Sequence, residues 1–134
     1  MSEASFIAII EDDRSVRESL AMFMESFGYD VLAFPSAEHF LDSNRLKDSV
    51  CLIIDVTLPG MTGVELQSRL KDSGSEVAMI FITAQAHERI RDQALNNGAI
   101  AFLEKPFSTE ALLRAVDSAG VRTSPDRSLK NSTA

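Results

Sequence analysis

The sequence has a single cysteine, no excess of basic residues and no long apolar segment, and each absence narrows the class of protein. The lone Cys51 excludes an internal disulfide, and its position inside an apolar run is typical of a small buried side chain in a reducing cytoplasm. With 13 basic and 20 acidic residues, the formal net charge is -7, which argues against nucleic acid or an anionic membrane as the main partner. No apolar run approaches the roughly 18 residues of a membrane span, and the first residues lack the basic region of a signal peptide. We therefore expect a cytoplasmic protein with no membrane contact.

Short apolar segments alternate with amphipathic ones along the whole chain. Strands are predicted at residues 6–10, 30–34, 50–54, 77–82 and 99–103, and helices at 15–27, 36–41, 62–73, 88–97 and 108–119. Unbroken Val, Ile and Leu runs are typical of strands covered on both faces. The pattern predicts an α/β domain, with a doubly wound parallel sheet, right-handed crossovers and helices on both faces. Periodicity does not determine the strand order.

The length of 134 residues fits a single domain. We assign residues 1–120 to this domain. Residues 121–134 are polar and contain almost nothing apolar, which is typical of a solvated tail or the start of a linker.

Polar side chains follow most of the predicted strands. They are Glu11, Asp12 and Asp13 after the first strand, Asp55 after the third, Thr83 after the fourth and Lys105 after the fifth. In a parallel sheet these positions meet at one edge, where α/β proteins bind ligands. Carboxylates about 5 Å apart repel by roughly 3 kcal/mol per pair at an effective dielectric near 20, so the cluster needs a cation or raised pKa values. Lys105 offsets part of this charge.

An oxygen-only donor set predicts a hard divalent cation at this edge. Asp12, Asp55 and a nearby main-chain carbonyl suit magnesium better than zinc, which favours His or Cys. His39 and His87 are expected to face solvent instead. A carboxylate beside magnesium, a lysine and a threonine hydroxyl is a site for a phosphoryl group, and the product would be an aspartyl phosphate on Asp55.

Structural explanations exist for each part of this edge. Asp13 is expected to be a helix-terminal charge. Thr83 alone would be a turn residue, and Lys105 with Pro106 a surface turn. The combination of all of them at strand ends favours the phosphoryl site.

Four motifs in this order resemble the receiver domain of two-component response regulators over about residues 5–120. They are residues 9–13 (Ile-Ile-Glu-Asp-Asp), 52–55 (Leu-Ile-Ile-Asp) with 58–63 (Leu-Pro-Gly-Met-Thr-Gly), 81–84 (Phe-Ile-Thr-Ala) and 102–107 (Phe-Leu-Glu-Lys-Pro-Phe). The resemblance implies a flavodoxin-like fold whose five-stranded sheet has the order 2-1-3-4-5. It also implies that Asp55 is the phosphoacceptor.

The resemblance further implies the metal ligands. Glu11 and Asp12 would form an acidic pair. Mg²⁺, or Mn²⁺ in its place, would be held by Asp12, Asp55 and the main-chain carbonyl of Thr57, with Glu11 acting through a water molecule.

The remaining implied roles concern the phosphoryl group. Lys105 and Thr83 would hold its oxygens, and Phe102 would move inward as Thr83 closes on them. Plain core packing is the alternative for Phe102. The bond between Lys105 and Pro106 is expected to be cis.

The resemblance also implies partners, and it leaves rival functions to weigh. A sensor histidine kinase would supply the phosphoryl group, and the surface around the fourth helix, fifth strand and fifth helix would then support homodimerisation or output. Thr62 resembles the subgroup whose output domains are helix-turn-helix, so DNA would be contacted only through an output domain absent from this chain.

Two rival functions share parts of this pattern. Phosphatases of the haloacid dehalogenase type also use a strand-end Asp and magnesium, but they need a second Asp where Thr57 stands. A flavodoxin-like FMN binder needs a phosphate-binding loop where Glu11 and Asp12 would repel phosphate. We expect self-phosphorylation and slow autodephosphorylation only, not steady enzymatic turnover.

Overall fold

The computed structural model describes residues 5–85 and 87–121, and the chain forms alternating strands and helices. The elements are β1 (Phe6–Ile10), α1 (Arg14–Ser26), β2 (Val31–Phe34), α2 (Ala37–Ser43), a 3₁₀ turn (Leu46–Asp48), β3 (Ser49–Asp55), α3 (Gly63–Asp72), β4 (Ala78–Thr83), α4 (Glu88–Asn96), β5 (Ala101–Glu104) and α5 (Thr109–Ser118). The five strands form one sheet in the order β2-β1-β3-β4-β5. Every neighbouring pair is parallel. The doubly wound α/β fold and its strand order are confirmed.

The two faces of the sheet are covered by different helices, which explains the unbroken apolar strands. Ile54 belongs to a core shared with α2, α3 and α4, whereas its neighbour Ile53 belongs to a core shared with α1 and α5. Successive side chains of a strand point to opposite faces, so both positions must be apolar when both faces are covered. Cys51 is fully buried on the α1 and α5 side.

Polar side chains define where several helices begin. Asp13 caps α1 by accepting a hydrogen bond from the Val16 N–H, so its predicted helix-terminal role is confirmed. Thr62 caps α3, and Glu65 completes a reciprocal capping box. Ser36 caps α2. These caps fix where α1, α2 and α3 begin after the carboxyl ends of the strands that precede them.

Some predicted boundaries were wrong. β5 begins at Ala101 rather than residue 99, because the Ala99 N–H donates to the Ala94 carbonyl and so closes the end of α4. α2 extends to Ser43 and ends at Asn44, which has a φ of 59°. The 3₁₀ turn before β3 was not predicted. Within the described residues, no helix has both the length and the apolar character needed to cross a membrane.

Candidate functional site

The carboxyl ends of the strands bring the predicted site residues to one edge of the sheet. Glu11 directly follows β1, and Asp55 is the last residue of β3. Ile10 pairs with Ile54 in the sheet, so Glu11 and Asp55, which follow these two residues in the chain, are neighbours. The chain continues from β1 into α1 on one face and from β3 towards α3 on the other. This divergence opens a crevice at the point where α/β sheets bind ligands.

An acidic cluster occupies this crevice. Oxygen atoms of Glu11, Asp12 and Asp55 all lie within 4.8 Å of one another. Glu11 and Asp55 are buried, with 1% and 5% of their surface exposed, whereas Asp12 faces solvent. The Lys105 Nζ atom lies 3.4 Å from Glu11 Oε1 and 3.7 Å from Asp55 Oδ2. One ammonium group against three carboxylates leaves the described site with a negative balance that favours a divalent cation.

The Glu11 carboxyl group is fixed by a hydrogen bond, but its environment disfavours the charged form. Its Oε2 accepts a hydrogen bond of 3.0 Å from the Asp13 N–H. Burial raises the pKa of Glu11, and the charge of Asp55 raises it further, whereas the Asp13 N–H and Lys105 lower it. A second cation in the crevice would therefore stabilise the charged form of this carboxyl group.

The carboxylate of Asp55 is oriented by its own loop. Its Oδ1 accepts one hydrogen bond from the Thr57 N–H at 2.9 Å and a second from the Thr57 hydroxyl at 3.1 Å. Its Oδ2 faces Lys105. The two oxygens of Asp55 thus have different partners, and the Thr57 peptide lies alongside the carboxylate.

Thr83 is the last residue of β4, and Phe102 lies on the neighbouring strand β5. The buried Thr83 hydroxyl donates to the Gln85 carbonyl at 2.9 Å and accepts from the Gln85 N–H at 3.2 Å. The Lys105 N–H donates to the Thr83 carbonyl at 2.7 Å, which fixes the two strand ends together. Phe102 is half-buried, and its ring centroid lies 6.2 Å from that of Phe81.

Several sequence predictions outside the cluster can be checked directly. The peptide bond between Lys105 and Pro106 is cis, the form expected for this pair. His39 and His87 are both exposed, as predicted. His39 shares a hydrogen bond of 2.6 Å with the Ser36 hydroxyl in the first turn of α2.

Two residues near the site were missed by the sequence reasoning. Glu38 on α2 accepts a hydrogen bond from the Met61 N–H in the loop after β3. Gly63 packs so closely that a Cβ atom there would lie 2.8 Å from the Asp55 carbonyl oxygen. The glycine lies within a motif that was recognised, but no local pattern signals a contact between residues 38 and 61.

Comparison with known proteins decides the family. The family model described as the response regulator receiver domain matches residues 7–117. The chain belongs to this family.

The receiver domain is similar to a curated transcriptional regulatory protein and to a curated response regulator protein. It is 40% identical over 116 residues to the transcriptional regulatory protein FixJ of Azorhizobium caulinodans, covering 87% of this chain and 55% of that protein. It is 38% identical over 116 residues to the response regulator protein TodT of Pseudomonas putida, covering 87% and 51% of the two chains. The chain spans about half the length of the curated relatives it matches.

A solved structure supports the same family at the level of the fold. The crystal structure of FixJ-N superposes on the receiver domain with a TM-score of 0.78 at 32% identity, covering 89% of this chain and 94% of that one. The predicted resemblance to two-component response regulators is confirmed, so the chain is a signalling module and not an enzyme in the ordinary sense. The alternative of a haloacid dehalogenase phosphatase is not supported.

Proposed function

We propose that this receiver domain accepts a phosphoryl group from a sensor histidine kinase onto Asp55. The proposal rests on one observation. Carboxylate oxygens of Glu11, Asp12 and Asp55 lie within 4.8 Å of one another, and the Lys105 ammonium group lies 3.7 Å from Asp55 Oδ2. Asp55 is the central member, because Lys105 and Thr57 contact its two oxygens from different sides. It is also buried, which shields an acyl phosphate from water.

The donor chemistry fits Mg²⁺ and would also accept Mn²⁺. Every available donor is an oxygen atom, which hard divalent cations prefer. Asp12, Asp55 and the Thr57 carbonyl are the proposed ligands, and Glu11 would act through a water molecule. When bound, the cation would neutralise charge on the phosphoryl oxygens and so make the phosphorus easier to attack.

The proposed transfer makes one bond and breaks one. An Asp55 carboxylate oxygen attacks the phosphorus of the kinase phosphohistidine and forms an acyl phosphate. The N–P bond breaks, and its electron pair stays on the imidazole nitrogen, which then takes up a proton. Lys105 neutralises the phosphoryl charge during the transfer. Hydrolysis returns the carboxylate slowly, because Thr57 stands where a phosphatase would need an acid and base.

The proposed switch begins at Thr83. New phosphoryl oxygens need hydrogen-bond donors, so the Thr83 hydroxyl would leave the Gln85 carbonyl to meet them. Phe102 would then move inward beside Phe81. Coupling of about 1 to 3 kcal/mol is enough to shift a surface between two populations.

The proposed output surface is formed by α4, β5 and α5. Leu95 and Ile100 are exposed there, at 37% and 39%, and exposed apolar side chains suit a surface that dimerises or docks a partner. In the whole protein this surface would regulate transcription through an output domain, of the helix-turn-helix type that Thr62 suggests. DNA contact would belong to that domain, and the location would be cytoplasmic. The predicted linker at 121–134 lies outside the described residues, apart from Val121.

A small phosphodonor tests the proposal. Wild-type protein and Asp55→Asn are incubated with acetyl phosphate and magnesium, and intact mass and released phosphate are measured over time. We expect one phosphoryl group per wild-type chain and none on the variant. Rapid multiple turnover without an adduct would indicate a phosphatase and would overturn the proposal.

A further inference from the structure

Glu38 connects helix α2 to the loop that follows Asp55. Its Oε2 accepts a hydrogen bond of 2.8 Å from the Met61 N–H, across 23 residues of sequence. This N–H is the main reason that the pKa of Glu38 is lowered. The carboxylate is therefore charged at neutral pH, and the hydrogen bond is charge-assisted. An element outside the acidic cluster thus reaches the loop that carries Thr57.

The loop is shaped to admit this carboxylate. Gly60 has a φ of 74°, a conformation that strains other residues. A Cβ atom at this position would also lie 2.6 Å from Glu38 Oε2. A side chain there would push the carboxylate away from the Met61 N–H. The contact made by Glu38 therefore depends on the absence of a side chain at Gly60.

The other main-chain hydrogen bonds of the loop lie nearer its two ends, and the Met61 side chain packs against the buried core. The Thr57 N–H donates to Asp55 Oδ1 at 2.9 Å, and the Gly63 N–H donates to the Val56 carbonyl at 3.2 Å. Leu58 is buried in the core. Between Leu58 and Gly63 the loop is exposed at Gly60. Glu38 contacts the loop at the next residue, Met61.

We propose that Glu38 is a positioning residue for the metal site. By holding Met61, it keeps the loop on the path that presents the Thr57 carbonyl to the cation. This inference rests on the proposed function, because it assumes that the Thr57 carbonyl is a ligand. A loop already held in place loses less conformational freedom when the ion binds, so affinity is higher.

A purely structural role for Glu38 makes a different prediction. Glu38 lies in the first turn of α2, where a carboxylate stabilises a helix through the helix dipole. That role would change the free energy of unfolding and leave metal affinity unaltered. Metal affinity and unfolding must therefore be measured on the same variants.

The test is a magnesium titration by calorimetry, with urea unfolding in chelator on the same proteins: wild type, Glu38→Ala, Glu38→Gln and Asp42→Ala. We expect Glu38→Ala to weaken magnesium binding by about tenfold, at the lower end of the effects of outer-shell partners. Glu38→Gln keeps an acceptor oxygen and should stay close to wild type. Asp42→Ala removes the same charge from an exposed site on the same helix and should leave affinity unchanged. Hydrogen exchange at the Met61 amide should accelerate in Glu38→Ala alone.

Gly60→Ala is the second variant, used if Glu38→Ala does not fold, and it should weaken magnesium binding in the same way. Wild-type affinity in Glu38→Ala would overturn the inference and leave the proposed function standing. An equal loss in Asp42→Ala would also overturn it, since net charge would then be the cause. No magnesium binding by wild type would overturn the proposed metal site as well.

Discussion

Replacing Asp12 with asparagine should stabilise the metal-free protein and destabilise the magnesium-bound protein relative to wild type. The side chain keeps its shape and loses its charge. Charges at the cluster limit of 4.8 Å repel by about 3.5 kcal/mol at an effective dielectric of about 20, and by about 0.9 kcal/mol in water. Asp12 is exposed, so the lower value applies. Asp12 faces two such carboxylates, and Lys105 neutralises one of the two charges. We therefore expect Asp12→Asn to gain about 1 kcal/mol in the free energy of unfolding when magnesium is absent.

With magnesium present the order should reverse. At about 100 times its dissociation constant, a ligand stabilises the folded state by about 2.7 kcal/mol, and a site weakened about a hundredfold gains only about 0.4 kcal/mol. The variant should therefore be less stable than wild type by about 1.3 kcal/mol. Urea unfolding followed by circular dichroism, with chelator and with magnesium, measures both differences.

The matched control is Asp42→Asn, which removes one charge from an exposed position on α2. It should change stability by less than about 0.5 kcal/mol and keep the full magnesium effect. If Asp12→Asn were less stable in chelator and gained as much from magnesium as wild type, the assignment of Asp12 to the metal site would be wrong.

Three further predictions concern buried positions. Burial raises the pKa of the Cys51 thiol to about 12, so thiol reagents should label native protein only as fast as it unfolds, and rapid native labelling would contradict this. Gln67→Met loses a hydrogen bond of 2.9 Å to the Ala94 carbonyl and removes a buried Oε1 with no partner. Since these effects oppose each other, stability should change by less than about 1 kcal/mol in urea unfolding, and a loss above about 2 kcal/mol would refute the reasoning. Gly63→Ala places a Cβ atom 2.8 Å from the Asp55 carbonyl oxygen. It should therefore lower the free energy of unfolding by about 1 to 3 kcal/mol and slow phosphorylation by acetyl phosphate. Wild-type values for both the free energy of unfolding and the phosphorylation rate would show that the loop adapts.

The layers of the fold could be predicted because buried positions are occupied by apolar residues, which the sequence shows directly. The run through Ile53 and Ile54 is apolar at every position because each face of the sheet meets a different set of helices. Strand order could not be predicted in this way, because periodicity shows which residues are buried and not which strands are neighbours. The order came from the resemblance to receiver domains, and the sheet confirms it.

The location of the site could also be predicted, but its internal contacts could not. Parallel strands place their carboxyl ends at one edge, so strand assignment alone places Glu11, Asp12 and Asp55 on that edge. Their approach to within 4.8 Å also requires β1 and β3 to be neighbours, which only the resemblance implied. The direction of the Thr83 hydroxyl depends on a side-chain rotamer and on the path of the following loop. The contact from Glu38 depends on helix α2 and the loop after β3 meeting in space. Neither leaves a pattern in the local sequence.

The position of the phosphoryl group is the most direct test of the proposed function. Protein treated with acetyl phosphate and magnesium is reduced with borohydride, which converts an aspartyl phosphate to homoserine, and peptide mass spectrometry locates the altered residue. The account predicts homoserine at Asp55 and at no other acid of the cluster. Reduction at Asp12 or Asp13, or at no position in protein that carries the phosphoryl mass, would contradict it.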